Sequence, residues 1–439
     1  MRIDRLQIQS FKRFESQELK LNPQFTLLVG DNGVGKTTLL DALAVAAGVW
    51  LVKPPDSTLT NSRRQILPGE IRIEPVGKGD RMQFVERKPV EVRAIGEIAG
   101  QEVEWARRID ERSSQTSNAG AREALQIIES VYRRDTDGAN VVCPVVAYYG
   151  AGRAWLPSNK RSPKAKQNGP ARRWDAFYDC LEERIRLADL QTWFQRELFA
   201  YVERAGSWRP GFEVVKQAIL QCIPGGEDVW FQGDRGEIVV AIAGNAQPFG
   251  NLSAGQQMMV ALVADIAIKA VTQNAFLLPA DHLGEADRPL PRLLRETPGL
   301  VLIDEIDVHL HPKWQRRVAN DLKAIFPAMQ FVATTHSPQT IGEVPPEQIR
   351  LLRDDGCILK PSVAFGVDSN WILDHVMDHA TSRDPDIKSL LDRIEDLMED
   401  GDLKTAEQTL DKVRNCVGGE DGEIIRLQSS LDSLRLLAE

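Results

Sequence analysis

Apolar residues fall along this chain in two periods, and the period changes mark its elements. Residues 1–29 alternate apolar and polar side chains in RIDRLQIQSF and QFTLLVG, around the polar stretch SQELKLNP, which predicts two short strands. Residues 53–120 are polar and broken by Pro and Gly. They carry β-like runs such as QFVERKPVEVRAI and EVEWARRI, a small antiparallel excursion. A helix is expected over 121–133, and the run VVCPVVAYYGAGR (141–153) reads as a buried strand. Residues 155–170 are rich in Pro, Ser and Lys and read as a mobile loop. From Arg173 to Gln221 the apolar spacing lengthens to 3.6 residues, which predicts two or three helices. Strands return over 228–249, and a Pro- and acid-rich insertion covers 272–298. Strands then alternate with helices from 299 to 364, as in α/β units. The last 60 or so residues read as a bundle of amphipathic helices bounded by Gly and Asp turns.

One junction in this pattern carries chemistry. The apolar run Phe25–Val29 gives way to G-x-x-x-x-G-K-T at 30–37, between a strand and a helix. Gly30, Gly33 and Gly35 let the backbone turn its N–H groups, Asn32 among the turn residues, onto phosphate oxygens, and the helix N-terminus adds a positive dipole end. Lys36 would reach the β- and γ-phosphates, Thr37 would sit on Mg²⁺, and Thr38 follows in the first turn. The pattern predicts binding of a nucleoside triphosphate.

Three later stretches extend it. The strand GLVLIDE (299–305) ends in Asp304, suited to hold Mg²⁺ through water, and Glu305, suited to deprotonate an attacking water. A second strand, FVATTHSP, delivers His336 to a strand end, where it can contact the γ-phosphate and that water. In NLSAGQQ, Ser253 and Gly255, with Gln256, head an apolar helix whose N-terminal amides can face an anion. No N-K-x-D motif appears, which favours adenine over guanine.

Charge and cysteine usage narrow the setting. The net charge is −9, concentrated in residues 381–439, which hold 15 acidic and 8 basic side chains; Arg153–Arg173 carries seven Lys/Arg and no acid. That basic segment reads as a solvated loop or as a nucleic-acid contact, with Trp155 and Trp174 flanking the charges. The five cysteines form no C-x-x-C pair, and the longest apolar stretch, Met258–Val271, contains Asp265 and Lys269. The expectation is a cytoplasmic protein without membrane spans.

Taken together, these motifs resemble the ABC-type ATPases, over roughly residues 1–50 and 250–345 and in that family's order. The resemblance implies an α/β fold: an ATPase head with a mixed sheet around the phosphate loop, an antiparallel β subdomain, an inserted helical subdomain and a C-terminal helical tail. It divides the chain into an N-terminal lobe (1–152), a basic loop with helical insertion and return strands (153–249), a C-terminal lobe (250–365) and an acidic tail (366–439). It implies ATP and Mg²⁺ as cofactors, a signature (Ser253, Gly255, Gln256) that binds the γ-phosphate held by another copy, and a D-loop aspartate at Asp307. Because each chain has one phosphate loop and one signature, two chains must sandwich two nucleotides, which implies a homodimer or higher oligomer. The family's Q-loop glutamine is missing from Ala147–Arg153.

The opening I-x-x-F-K-R-F (Ile8–Phe14) and DEIDVHLHPKWQ (304–315) resemble the RecF/SMC-like branch. His309 and His311 there are expected to order the D-loop and dimer face. YYGAGR, WDAFYDCLEERIRLADLQTWF, FVATTHSPQ and FGVDSNWIL are similar to the ATPase subunit of Septu-type and retron-associated anti-phage systems. That likeness implies a separate HNH nuclease partner, with no nuclease site on this chain, and leaves DNA, tRNA or retron nucleic acid as a further partner class. The rival reading is a RecF-like repair or recombination ATPase acting directly on DNA.

Overall fold

A computed structural model describes residues 1–55, 63–77, 82–152, 173–182, 185, 187–278, 290–377, 384–419 and 422–438. The expected mobile loop at 155–170, and residues 279–289 of the Pro- and acid-rich insertion, lie outside the described residues. The chain divides into two compact units, Met1–Val367 and Asp368–Glu439.

The first unit begins with a hairpin of β1 (Arg2–Phe11) and β2 (Phe14–Lys20), in which Phe11 faces Phe14. Next comes β3 (Phe25–Val29), then α1 (Lys36–Ala47). A two-stranded ribbon, β4 (Ile73–Val76) and β5 (Gln83–Glu86), precedes β6 (Val90–Ile98) and β7 (Gln101–Ile109). The antiparallel excursion is therefore less separate than the sequence pattern suggests. β6 pairs with β1, Val92 opposite Ile8, to give a four-stranded sheet of order β2-β1-β6-β7. Strict alternation along β6 buries Val90, Val92, Ala94, Gly96 and Ile98 on one face, which is what a half-buried strand requires.

Helix α2 (Arg122–Thr136) and β8 (Val145–Tyr149) follow, then α3 (Leu187–Glu203) and α4 (Pro210–Cys222) of the helical insertion. The return strands β9 (Gly226–Gln232), β10 (Glu237–Ile242) and β11 (Asn245–Pro248) form a separate antiparallel sheet that leads into the long helix α5 (Ala254–Gln273). The unit closes with α6 (Arg292–Glu296), β12 (Gly299–Ile303), α7 (Pro312–Gln315), α8 (Val318–Ile325), β13 (Met329–Thr335), α9 (Pro338–Ile341), β14 (Ile349–Leu352) and β15 (Ile358–Leu359).

The central sheet has the order β15-β14-β3-β13-β12-β8, parallel except for the edge pair β14–β15. All residues of β3, β8, β12 and β13 are buried, as in parallel strands covered on both faces. Every residue of α1 except Thr37 is buried, because the helix lies between this sheet and the four-stranded one. Gln330 of β13 joins the two sheets: its side chain accepts from Ile3 N at 2.8 Å and donates to Ile3 O at 2.7 Å and Asn22 O at 2.9 Å. Helix α5 is long and apolar enough to cross a membrane, yet 67% of that apolar window is buried inside the protein; it is a core helix.

In the second unit, α10 (Ser369–His375) precedes three helices, α11 (Pro385–Glu399), α12 (Leu403–Val417) and α13 (Gly422–Ala438). Leu391, Ile394, Leu410, Val413, Leu427 and Leu431 fill their shared core. Asp384 and Asp402 cap α11 and α12, so the Asp-bounded turns read in the sequence are helix starts.

Candidate active site

The phosphate loop begins where β3 runs out. Gly30 has φ of +150°, and a Cβ there would sit 2.4 Å from Leu352 O. Gly35 has φ of +105° and lies under the Phe14 ring, 2.5 Å from where a Cβ would stand. Both positions accept only glycine. Gly35 is also the N-cap of α1; no side chain caps the helix and no acidic residue stands in its first turn. The helix's leading N–H groups and positive dipole end are thus left to an anion. Asp31, Asn32, Gly33 and Thr37 are exposed on this loop, whereas Lys36 and Thr38 are buried.

Lys36 is 7% exposed and curls back over the loop, donating to Gly30 O at 2.7 Å and Asp31 O at 2.8 Å. Burial pulls its ammonium down to about 8, against the opposing pull of Asp304, Asp31, Glu305 and Asp307. Phosphate oxygens in place of the two carbonyls would favour the charged form.

The carboxylates lie beyond β12. Asp304, 8% exposed, accepts from Thr37 Oγ1 at 2.9 Å and from Thr334 Oγ1 at 2.5 Å, and its N–H donates to Tyr149 O at 2.7 Å. A hydroxyl and a carboxylate in contact are hard oxygen donors, the pair that Mg²⁺ uses alongside substrate phosphates and water. The residues present therefore fit that ion. Glu305 holds a left-handed backbone with φ of 49°, and its N–H donates to Thr334 Oγ1 at 2.7 Å. A non-glycine residue held there is strained, a cost that concentrates at functional sites. Asp307 accepts from Thr335 Oγ1.

His336 follows β13 and is half buried. Desolvation, and then Lys36, hold its imidazole below the usual value; Asp307, Glu305 and Asp31 oppose them. The structure thus brings Lys36, Thr37, Asp304, Glu305, Asp307 and His336 together within one chain.

Ser253, Gly255 and Gln256 lie at the head of α5. Ser253 N-caps α5 in a reciprocal box: its Oγ accepts from Gln256 N at 3.3 Å, and Gln256 Oε1 accepts from Ser253 N at 3.0 Å. A Cβ on Gly255 would meet His309 O at 2.9 Å, so the head of α5 lies against the segment that follows Asp307. His309 has φ of 61°, and His311 caps α7 by accepting from Lys313 N at 3.3 Å. Of the basic segment, Arg173 is described: it pairs with Asp135, donates to Val141 O and lies 5.4 Å from the Trp174 ring. Trp174 stacks on Phe177 and meets Tyr132 edge-on. Arg173 and Trp174 are thus held in structural contacts, and Trp155 lies outside the described residues.

Sequence reasoning passed over Thr334 and Thr335, whose hydroxyls hold the carboxylates of Asp304 and Asp307, and Tyr149. It also missed Arg13, whose guanidinium donates to Gly33 O on the loop and to Asp354 O at 3.3 Å. The doublet Thr-Thr before His336 was the available signal.

Comparison with known proteins bears on the family. An AAA domain family model matches residues 5–203, and a second AAA domain model matches 243–342. Retron Ec83 probable ATPase of Escherichia coli is 23% identical over 88% of this chain and 78% of its own length. Retron Vc95 probable ATPase of Vibrio cholerae is 41% identical over 24% of this chain and 18% of its own. Septu protein PtuA of Bacillus mycoides is 24% identical over 77% of this chain and 38% of its own. With the phosphate loop, the carboxylate-ended strand and the mixed sheet assembled in one unit, the chain is an ABC-type ATPase, similar in sequence to retron-associated ATPases and to Septu PtuA.

Proposed function

We propose that this ATPase works as an ATP-sandwiched homodimer or higher oligomer that gates a separate HNH-type nuclease in cytoplasmic anti-phage defence. In this reading Gly30, Asn32, Gly33, Gly35 and Thr38 form the phosphate cradle, and Lys36 charges it. Thr37 and Asp304 hold Mg²⁺, which supplies charge neutralisation on the phosphates when bound. Glu305 takes the proton from the attacking water, and neutral His336 orients that water beside the γ-phosphate. Ser253, Gly255 and Gln256 of one protomer close over the nucleotide held by Lys36 of the other, with Asp307 at the seam. Hydrolysis then loosens the pair and changes what the partner nuclease meets.

The observation that carries this reading is the convergence of Lys36, Thr37, Asp304, Glu305 and His336 in a chain similar along 88% of its length to a retron's probable ATPase. Co-expression with the product of the neighbouring gene tests the division of labour. The two proteins should co-purify, and nuclease activity should need both and respond to ATP. DNA cleavage by the ATPase alone would contradict it.

A further inference from the structure

The position where this family's Q-loop glutamine is missing holds two adjacent tyrosines. Tyr148 and Tyr149 end β8, an edge strand of the central sheet. Successive strand residues point to opposite faces, and each tyrosine is engaged on its own side. Tyr148 OH donates to Asp41 Oδ1 at 3.3 Å on α1, one turn beyond Thr37. Tyr149 OH donates to Asp265 Oδ2 at 2.6 Å on α5, the helix that Ser253 caps. Between them, Tyr149 O accepts the Asp304 N–H at 2.7 Å.

Both anchors are themselves fixed. Asp41 is buried and bonded to Lys12, with Arg64 3.7 Å away, and burial raises its carboxyl against those cations. Asp265 pairs with Lys269 one turn along α5. The backbone of β8 is tied down as well, because Tyr148 N donates to Cys180 O at 2.8 Å.

We propose that Tyr149, backed by Tyr148, is a positioning residue for hydrolysis: it pins the end of β8 between the phosphate-loop helix and α5, so that its carbonyl holds Asp304, and Glu305 after it, in register with Thr37. The tyrosine hydroxyls touch neither nucleotide nor water in this scheme. They act through the backbone at the end of β12, where a displacement of an ångström is costly to rate. The proposal rests on the roles given above to Asp304 and Glu305 and does not depend on the nuclease partner.

A double-mutant cycle tests it, with Tyr149→Phe, Asp265→Ala and both together, reading steady-state kcat and KM for ATP alongside melting temperature. Each single change should lower kcat by about tenfold with KM moved less than about twofold. The double variant should be no slower than the slower single, because both remove one contact. Tyr148→Phe should show the same split to a smaller degree. The inference is overturned by unchanged kcat, by a loss confined to KM, or by single effects that multiply in the double variant. Lowered melting temperature at unchanged kcat would likewise reduce the tyrosines to a merely structural role.

Discussion

Lys36 ties the anion affinity of the phosphate loop to pH. Its ammonium is buried and satisfied by two loop carbonyls, with its pKa pulled down to about 8, from an ordinary value of 10.5. A group whose folded value is depressed in this way is charged below about pH 8 and neutral above it. Nucleotide phosphates favour the charged form, so above about pH 8 the free protein must take up a proton to bind. ATP affinity should be flat from pH 6.5 to 7.5 and then fall by up to about tenfold per unit above pH 8. Calorimetry in two buffers of different ionisation enthalpy should register the matching proton uptake near pH 8.5, and none near pH 7. Affinity that stays level to pH 10 would contradict this account of Lys36. The two strained residues nearby, Glu305 and His309, bracket Asp307 and place three side chains within one short loop. Thr334 braces its first turn by accepting from Glu305 N while donating to Asp304.

Among the elements, β13 carries more than its strand pattern indicates. It delivers Thr334, Thr335 and His336 at one end, and at the other Gln330 bridges to the antiparallel sheet through Ile3. Gln330 is buried, so Gln330→Ala would leave the Ile3 N–H and C=O without partners in the interior. The change should cost about 2–4 kcal/mol, as buried polar groups lose their bonds. Urea unfolding would measure it; a loss under about 0.5 kcal/mol would show that the two sheets hold together without this residue. The strand ends with their carboxylates and histidine could be read from sequence because each motif is contiguous and its chemistry needs those residue types side by side. The pairing of β6 with β1 could not, since alternation fixes which face of a strand is buried but not which strand lies beside it. Tyr149 escaped for a related reason: its partners, Asp265 and the Asp304 N–H, lie more than 100 residues away. Arg173 looked like part of a solvated basic run, and only the fold shows Asp135 opposite it.

For the molecule as a whole, Lys36, Asp304, Glu305 and His336 gather beyond the ends of β3, β12 and β13, while Ser253 caps the head of α5 beside the buried Gly255. Ser253 is exposed and its side-chain bonds go to Gln256 alone, as expected of a group whose ligand arrives on another copy. The second unit has an apolar three-helix core of its own. In the proposed function each nucleotide is clamped between Lys36 of one protomer and Ser253 of its partner. Light scattering of the Glu305→Gln variant with Mg-ATP tests it most directly, because binding survives in that variant while the base is lost. The mass should double with ATP, remain single without it, and remain single with ATP when Ser253→Arg is added. A Glu305→Gln chain that stays monomeric with ATP bound, or wild-type protein that hydrolyses ATP at full rate as a strict monomer, would contradict the claim.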